Sequence, residues 1–502
     1  MTFASAMAAV AGRDFDLEAF EGLAKAALDE GEEQQALPSL AKAAASHRSA
    51  RLFQWKGLLE RSLDEHQLAL QSFGDAVALE PDNPSIAHGY ARVSLEAGLA
   101  AEGLFERALA LSPSDSSILF GLVAARLAAG HGDQGEAELD AILAHAPLWI
   151  EGHVQLAQLR SILGRRSEAD ASYRRALSAM PAEPRLWTAL LDLQTKQEQF
   201  RQIGETALEA RANAVPAELL LPFEAVAAAE LGRLADADRL FADVEAISGP
   251  PLTVWRIRHL LRSARTSEAL PLIDAALAGP ERPAAFPYAS VAWRMIGDPR
   301  SAWLEEDEGL ISVIDLENFL PLEELASVLR SLHMAKGEYL DQSVRGGTQT
   351  DGPFFSRVES PIRETRATVV DAVDKYLAQL PPIRADHPLL APRRDRRIRF
   401  SGSWSVRLSA SGYHVSHVHP QGWISSALYV AVPHSVTSGK GRAGWLQIGR
   451  PPQTLKTGLD PKRLIEPRPG RLVLFPSWMW HGTLPFESGE RLTVAFDVAM
   501  PR

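Results

Sequence analysis

The stretch AEGLFERALALSP, residues 101–113, decides the fold of the first part of the chain. It places Ala101, Phe105 and Ala108 on one face of a helix, where small side chains let a neighbouring helix approach and the aromatic ring fills the gap. Pro113 then ends the helix, because proline has no N–H to donate and disfavours helix in the residue before it. The stretch therefore predicts the second helix of a packed helical pair.

The same pattern recurs along the chain. Residues 69–81 and 169–181 repeat it closely, and the prolines are 32, 34, 34, 35 and 34 residues apart, at Pro81, Pro113, Pro147, Pro181, Pro216 and Pro250. Four glycines lie about midway between prolines, where a first helix must turn back into its antiparallel partner: Gly98, Gly130, Gly164 and Gly232. A period of this length is typical of stacked helical hairpins.

These segments resemble tetratricopeptide repeats most closely from about residue 67 to residue 250, with weaker copies in 16–66 and onward to Trp303. We therefore expect residues 1–303 to form an α-solenoid. The resemblance implies that a protein or peptide binds in the groove of the solenoid. The alternative is that the array holds the second part of the chain in place or forms a dimer.

The net charge of −11 is divided unevenly between two parts of the chain. Residues 321–502 carry 24 Lys and Arg against 16 Asp and Glu, a charge of +8, whereas residues 1–320 carry 28 against 47, a charge of −19. The two parts are therefore expected to have different functions. Nucleic-acid binding is not expected, because no aromatic residues are interleaved with the basic ones.

The chain contains no cysteine, which excludes disulfides, thiolate metal sites and a cysteine nucleophile. A metal site would have to use His, Asp or Glu. No run of 18 apolar residues lacks a charge, and the first residues do not have the pattern of a signal peptide. We therefore expect a cytoplasmic protein with no membrane contact.

The pattern changes after about residue 320. We predict a connecting helical segment over 304–337 and a separate domain over 338–502, which contains a polar segment (341–352) that is either a surface loop or a lid at a cofactor site. From residue 398 onward, short segments with a period of two alternate with Gly and Pro turns. This pattern favours a β jelly roll or barrel.

Histidines cluster in this domain. His417 and His419, spaced as H-x-H on a predicted strand, would project from one face, and His414 lies close by. Two imidazoles on one face supply half of a metal site, and His481, which follows a strand with a buried pattern, would supply another ligand. The alternative is a solvated or structural histidine pair.

The strand that begins at Arg491 is apolar on one face and carries Arg491, Thr493, Ala495 and Asp497 on the other. An Arg two residues from a Thr is a good carboxylate anchor, because the guanidinium binds bidentately and the hydroxyl adds a donor. Near a metal it would hold the far end of a dicarboxylate. The alternative for Arg491 is a surface ion pair with Glu487 or Glu490.

Residues 338–502 resemble the 2-oxoglutarate/Fe(II)-dependent oxygenases that occur behind tetratricopeptide repeats. The stretches that carry the resemblance are DQSVRGGTQT, WSVRLSASGYHVSHVHPQGWISSALYVAVP, PGRLVLFPSWMWHGTLPF and ERLTVAFDV. The resemblance implies a double-stranded β-helix, Fe(II) bound by His417 and His481, and 2-oxoglutarate held by Arg491 and Thr493. His419 takes the place usually filled by the carboxylate of an H-x-D pair.

The sequence departs from the usual set of two histidines and one carboxylate. No Asp or Glu stands two residues after His417 or His419. Either His419 completes a site of three histidines, or water fills the third position. His414 is a further candidate, because it could replace either neighbouring histidine.

Two other groups of residues have candidate roles. The basic run either contacts the acidic solenoid or steers an anionic cosubstrate, and consists of Arg393, Arg394, Arg396, Arg397 and Arg399. The tryptophans Trp404, Trp423, Trp445, Trp478 and Trp480 are expected to pack the domain. Residues expected to line a pocket at the metal are His414, Tyr429, Trp423 and Trp480.

The sequence thus predicts an Fe(II)- and 2-oxoglutarate-dependent dioxygenase, a hydroxylase that consumes O2, whose repeat array recruits a protein or peptide substrate. Two alternatives remain open. One is a repeat-based scaffold with a catalytically degenerate jelly roll, and the other is a metal-dependent enzyme of the same shape that does not use 2-oxoglutarate.

Overall fold

Antiparallel helical hairpins make up the first 305 residues of the chain. The computed structural model describes residues 1–12, 15–244, 252–316, 318, 320–340, 342–437 and 441–501. The helices of the array are α1 (Phe3–Val10), α2 (Leu17–Glu30), α3 (Glu33–His47), α4 (Ala50–Ser62), α5 (His66–Leu79), α6 (Pro84–Glu96), α7 (Glu102–Leu111), α8 (Ser116–Ala128), α9 (Gly132–His145), α10 (Ile150–Ile162), α11 (Ala171–Ala179), α12 (Pro184–Lys196), α13 (Phe200–Ala212), α14 (Ala217–Glu230), α15 (Leu234–Asp243), α16 (Leu252–Arg262), α17 (Thr266–Ala278), α18 (Arg282–Ile296) and α19 (Arg300–Glu305).

From α2 onward the helices pair in sequence, each even-numbered helix with the odd-numbered helix that follows it. Every turn inside a pair contains a residue with positive φ: Gly31, Asp64, Gly98, Gly130, Gly164, Glu198, Gly232, Ala264 and Gly297. The four glycines expected to reverse the chain are among them. This left-handed conformation ends the first helix of each pair, and it recurs with the repeat period because each pair repeats the same geometry.

The aromatic residue of the repeat pattern packs against the next pair. Phe105, on α7, is 1% exposed, and a Cβ on Gly121 of α8 would collide with its ring. Phe73 contacts Gly89 in the same way one repeat earlier. The prolines also stand where the pattern predicts, since α7 ends two residues before Pro113. Pro250 lies outside the described residues.

The second part of the chain contains antiparallel sheets, as predicted. One sheet has the strand order β1-β7-β4-β9-β3-β2 and the other has the order β6-β5-β8. The strands are β1 (Ser312–Asp315), β2 (Val344–Gln349), β3 (Phe400–His414), β4 (Ile424–Ala431), β5 (Leu446–Ile448), β6 (Arg463–Ile465), β7 (Arg471–Pro476), β8 (His481–Thr483) and β9 (Arg491–Val498), and the helices are α20 (Leu322–Leu332), α21 (Ser360–Gln379) and α22 (His434–Thr437). This two-sheet arrangement fits the double-stranded β-helix that the resemblance implies.

Two predicted segments differ from the structure. The connecting segment 304–337 contains α20 but also strand β1, which pairs with β7 from Ser312 opposite Leu474 to Asp315 opposite Arg471. Within the polar segment 341–352, residues Val344–Gln349 form strand β2, which pairs with β3, rather than a loop. Strands β1 and β2 are short and lie at the edges of the sheet. An edge strand does not need a regular alternation of apolar and polar residues, so the sequence gives only a weak signal for it. Asp341 lies outside the described residues.

The edge of the array where the hairpins turn contacts the second part of the chain. Arg396 binds Glu32, Arg399 binds Glu33 and Arg397 binds Glu65. Backbone and side-chain hydrogen bonds continue along the same edge: Val358 N to Ala97 O at 3.1 Å, Lys336 N to Ile162 O at 2.9 Å, Arg262 Nε to Thr454 O at 2.8 Å and Arg294 Nη2 to Asp460 O at 2.7 Å. The contacts recur because the turns recur.

These contacts support one of the two interpretations of the basic run, contact with the acidic solenoid. Arg393 pairs with Asp395, and Arg394 donates to the carbonyls of Leu380 and Pro381, while the other three bind solenoid carboxylates. Every member of the run therefore has a partner away from the histidines. Three members of the basic run therefore contact the acidic solenoid, while steering of an anionic cosubstrate stays a prediction.

The segment from Lys336 to Leu340 packs against helix α10 of the solenoid. Ser161 donates from its hydroxyl to Glu338 O at 2.6 Å, and the Leu340 N–H donates to Gln158 Oε1 at 3.3 Å. Leu340 also belongs to the apolar cluster that contains Trp187. The solenoid is thus attached to the chain that leads directly into β2.

Candidate metal centre

The three histidines that the sequence singles out as metal ligands come together at one end of the sheets. His417 follows β3, and its backbone forms an isolated bridge with His481, the first residue of β8. The two N–H···O distances of this bridge are 2.9 and 3.0 Å. His417 and His419 therefore lie beyond the end of β3 rather than within a strand, a difference from the prediction. One candidate ligand atom from each of His417, His419 and His481 lies within 4.8 Å of the others.

Each imidazole is oriented by a hydrogen bond at Nδ1. His417 Nδ1 lies 2.8 Å from Val415 O, and His481 Nδ1 lies 3.0 Å from Met479 O. A carbonyl can only accept, so Nδ1 of both rings carries the proton and Nε2 has a lone pair. In His417 this lone pair accepts from the Ser343 hydroxyl at 3.2 Å. This arrangement is the usual outer support of metal-binding histidines.

The third imidazole is supported by a carboxylate that the sequence analysis did not assign. His419 Nδ1 lies 2.8 and 2.7 Å from the two carboxylate oxygens of Asp497, on β9. Ser425, opposite Asp497 in the sheet, donates to Asp497 Oδ1 at 2.6 Å. A Cβ on Gly422 would lie 3.2 Å from Asp497 Cβ, so glycine leaves room for the turn after His419. The sequence has no carboxylate beside the candidate histidines, and Asp497 instead places a negative charge at Nδ1 of His419.

One sequence signal could have found Asp497. It shares a face of β9 with Arg491 and Thr493, two residues already assigned to the site. An acid on that face, within reach of the histidines, is expected to point into the same pocket. Proximity in sequence to the H-x-H pair does not indicate this acid, because Asp497 lies 78 residues from His419.

The buried histidines are held in the neutral form that metal binding requires. Burial, reinforced by the neighbouring His419, lowers the pKa of His417 to about 3. Burial and the nearby Arg491 lower the pKa of His414, and burial with His417 and His419 nearby lowers that of His481. The neutral imidazoles of His417 and His481 are nitrogen donors of the kind that a divalent transition metal binds.

A polar pocket extends from the histidines to Arg491 and Thr493. Arg491 is 2% exposed and lies with its guanidinium carbon 5.7 Å from the centre of the Tyr429 ring. It therefore does not form the surface ion pair considered as an alternative. Its Nη1 donates to Gly444 O at 2.9 Å, and burial lowers its pKa.

Three polar atoms in this pocket lack partners among the described residues. They are Arg491 Nε, the Tyr429 hydroxyl and His414 Nε2. A buried polar group without a hydrogen bond costs about 1–3 kcal/mol, and more when the group is charged. Such groups around a buried guanidinium fit an anionic ligand that completes their hydrogen bonds, as the carboxylate of a dicarboxylic acid would.

The tryptophans are not placed as expected. Trp423 and Trp480, predicted to line the pocket, instead donate their indole N–H groups to Leu389 O and Pro287 O, both at 3.0 Å. Each is drawn outward because a buried indole needs an acceptor. Trp404 lines the pocket in their place, with its ring 5.5 Å from that of His419.

Comparisons with known proteins agree with both parts of the chain. The family described as "Putative 2OG-Fe(II) oxygenase" matches residues 402–497, and the tetratricopeptide repeat family matches residues 99–159. The first match contains the three histidines, Arg491 and Asp497. A search of curated proteins found no match.

Among solved structures, similarity is partial. A Pseudomonas putida prolyl-4-hydroxylase is 16% identical over 41% of this chain and 98% of its own, with a TM-score of 0.26. A tetratricopeptide repeat protein from Parabacteroides merdae is 18% identical over 47% of this chain and 94% of its own, with a TM-score of 0.30. YrrB, a repeat protein with an unusual peptide-binding site, is 17% identical over 36% and 95%, with a TM-score of 0.29.

Proposed function

We propose that this chain, which joins tetratricopeptide repeats to a domain of the 2OG-Fe(II) oxygenase family, is an Fe(II)- and 2-oxoglutarate-dependent hydroxylase that acts on a protein or peptide. One observation carries the proposal. Three histidines, each held at Nδ1, share a pocket with a buried arginine whose Nε has no partner among the described residues.

The residues of the pocket divide into two groups. His417, His419 and His481 would hold Fe(II) through Nε2, since Nδ1 of each ring is already engaged. Arg491 and Thr493 would hold the far carboxylate of 2-oxoglutarate, and burial strengthens that charged contact by excluding water. With both bound, the centre would supply the reaction of O2, 2-oxoglutarate and a C–H bond to give a hydroxylated product, succinate and CO2.

The chain's own residues orient the bound groups and limit solvent. Asp497 keeps the Nδ1 proton of His419 in place, so its ring presents Nε2 inward. Trp404, beside His419, covers one side of the pocket. The Tyr429 hydroxyl, which has no partner among the described residues, supplies one more hydrogen bond near Arg491.

An anaerobic titration of the purified chain with Fe(II) and then 2-oxoglutarate tests this function. We expect the weak visible charge-transfer band of an Fe(II)–2-oxoglutarate chelate. Arg491→Ala should keep the iron but require far more 2-oxoglutarate to develop the band, because the carboxylate anchor is lost. His481→Ala should lose the iron, whereas His145→Ala, on the exposed face of α9, should behave like the parent chain.

Bound iron without a band at millimolar 2-oxoglutarate would contradict the proposal and favour the repeat-based scaffold. A band unaffected by Arg491→Ala would place the cosubstrate elsewhere. If His419→Ala keeps its iron while His417→Ala loses it, the metal has two protein ligands and water in the third position.

A further inference from the structure

A cavity of about 540 Å³ opens over the histidine cluster, within the size range of ligand sites. His417, His419 and Trp404 lie at its base and also line the pocket of Arg491. The cavity is therefore the approach to the candidate metal centre. Its walls come from both parts of the chain.

The repeat array supplies part of the entrance directly. Arg166, in a 3-10 turn (Arg166–Glu168) before α11, lines the cavity together with Lys196, the last residue of α12, and Glu198, in the turn that follows. Arg345, on β2, lines it from the opposite part of the chain. Two successive repeats thus border the access to the histidines.

Three cations and one rim carboxylate set the charge of this entrance. The side chains of Arg166, Lys196 and Arg345 are 38%, 43% and 32% exposed. Arg345 lies 3.8 Å from Glu198, and Arg166 lies 4.0 Å from Glu338. Such long, half-exposed pairs contribute little to stability and can exchange for a ligand.

The other contacts of these cations leave them able to bind. Lys196 pairs with Asp192, one turn back on α12, at 2.7 Å, and Asp192 does not line the cavity. Arg166 donates to Gln197 O at 3.4 Å, and Arg345 donates to Gln342 O at 2.6 Å. Asp497, the other acid at the cavity, is bonded to His419 and Ser425. The lining of the entrance therefore contains three cations against two carboxylates, Glu198 and Asp497, and carries a small positive excess.

Hydrogen bonds join the two walls of the cavity. Ser161, on α10, donates to Glu338 O, and the Leu340 N–H donates to Gln158, so the chain leading into β2 is bound to the same repeat that carries Arg166. A ligand in the cavity therefore meets preformed cations and does not have to bring the two parts together.

We propose that this entrance binds an acidic segment of a protein or peptide and presents a neighbouring residue of that segment to the metal. The inference rests on the proposed function and specifies its substrate. The inner pocket already contains Arg491 for a dicarboxylate, so the outer cations serve a second anion. Two of them lie on repeats, the architecture that binds extended peptides, and this favours a peptide over a small anion.

Fluorescence anisotropy with the full chain tests the proposal. The probes are a labelled Glu-Ala repeat peptide and a Lys-Ala peptide of the same length. We expect the acidic peptide to bind more tightly, and increasingly weakly as salt is added. Arg166→Glu and Lys196→Glu should each weaken binding of the acidic peptide about tenfold, because each replaces an attraction by a repulsion.

Arg239→Glu is the matched control, since Arg239 lies on α15, is 63% exposed and does not line the cavity. It should bind the acidic peptide as the parent chain does. Arg166 contacts the chain leading into β2, so Lys196→Glu decides the matter if Arg166→Glu fails to fold. Equal binding of the two peptides, or no loss on Lys196→Glu, would overturn the proposal.

A second measurement, of 2-oxoglutarate binding, separates this inference from the proposed function. The 2-oxoglutarate dependence of the charge-transfer band should be the same in Lys196→Glu and the parent chain. If it shifts while peptide binding does not, the cations serve the cosubstrate and the inference is wrong. If the band never forms but peptide binding still depends on Lys196, the docking surface stands and the proposed function fails.

Discussion

Asp497 orients the imidazole of His419, one of the three proposed metal ligands. Its carboxylate lies against Nδ1 of the imidazole and is held by Ser425. A carboxylate at that position fixes the ring and increases the electron density at Nε2. In the proposed site, the negative charge that two-histidine, one-carboxylate sites place on the metal would lie instead on Asp497, behind His419.

Replacing Asp497 with asparagine should weaken metal binding about tenfold. The amide oxygen can still accept from His419 Nδ1, so the ring orientation survives while the charge is lost. Anaerobic titration with Co(II), followed by visible absorption, measures the affinity without turnover. Asp395→Asn is the control, because Asp395 is an exposed partner of Arg393. Unchanged Co(II) affinity in Asp497→Asn would show that the carboxylate only supports the local fold.

The element that repeats along the array is a helix pair closed by a left-handed turn and joined to its neighbour by an aromatic ring. Phe105 on α7 fits against Gly121 on α8 because glycine has no side chain. Gly103, on α7 itself, has no atom of the described residues within 4 Å of an added Cβ. Packing therefore requires glycine at position 121, whereas position 103 has room for a side chain.

Gly121→Ala should destabilise the array by about 1–3 kcal/mol, because the Phe105 ring must move to admit the methyl group. Gly103→Ala should stabilise it by up to about 1 kcal/mol, because alanine is the better helix former at an open position. Hydrogen exchange of the α7 and α8 amides measures the stability change in each variant, because repeats unfold locally. Equal effects of the two substitutions would contradict this packing.

At the scale of the whole molecule, the acidic solenoid and the basic second part are held together by ion pairs between distant residues. Glu33 is 1% exposed and binds Arg399, and Glu32 and Glu65 bind Arg396 and Arg397. Contacts along the hairpin turns continue this interface. No helix in the described part of the chain is long and apolar enough to cross a bilayer.

Glu33→Gln should lower the free energy of unfolding by about 2 kcal/mol, because Arg399 is left partly buried without its charged partner. Thermal unfolding and hydrogen exchange of α2 and α3 report the loss. The control is Glu18→Gln, at an exposed position of α2, which should leave both measurements unchanged. The single variant Arg399→Gln and the double variant Glu33→Gln/Arg399→Gln complete the test. If the loss of unfolding free energy in the double variant equals the sum of the losses in the two single variants, the two residues do not interact.

Much of the molecule could be predicted from local patterns. The repeat period marks the helix pairs, because each pair and its contacts to the next lie within about two repeats of sequence. The approach of His417 to His481 and the burial of Arg491 follow expectations drawn from strand periodicity and resemblance. Strands β1 and β2 were missed, because edge strands carry little apolar alternation.

The sequence by itself determined the solenoid, the sheet-rich second part and the residues able to bind a metal, since residue spacing places side chains on a common face within one element. Only the tertiary structure decided that Asp497 supports His419, 78 residues away, and that Arg399 docks on Glu33, 366 residues away. It also decided that Trp404 rather than Trp423 lines the pocket. Such pairs depend on the path of the chain between elements, which no local pattern records.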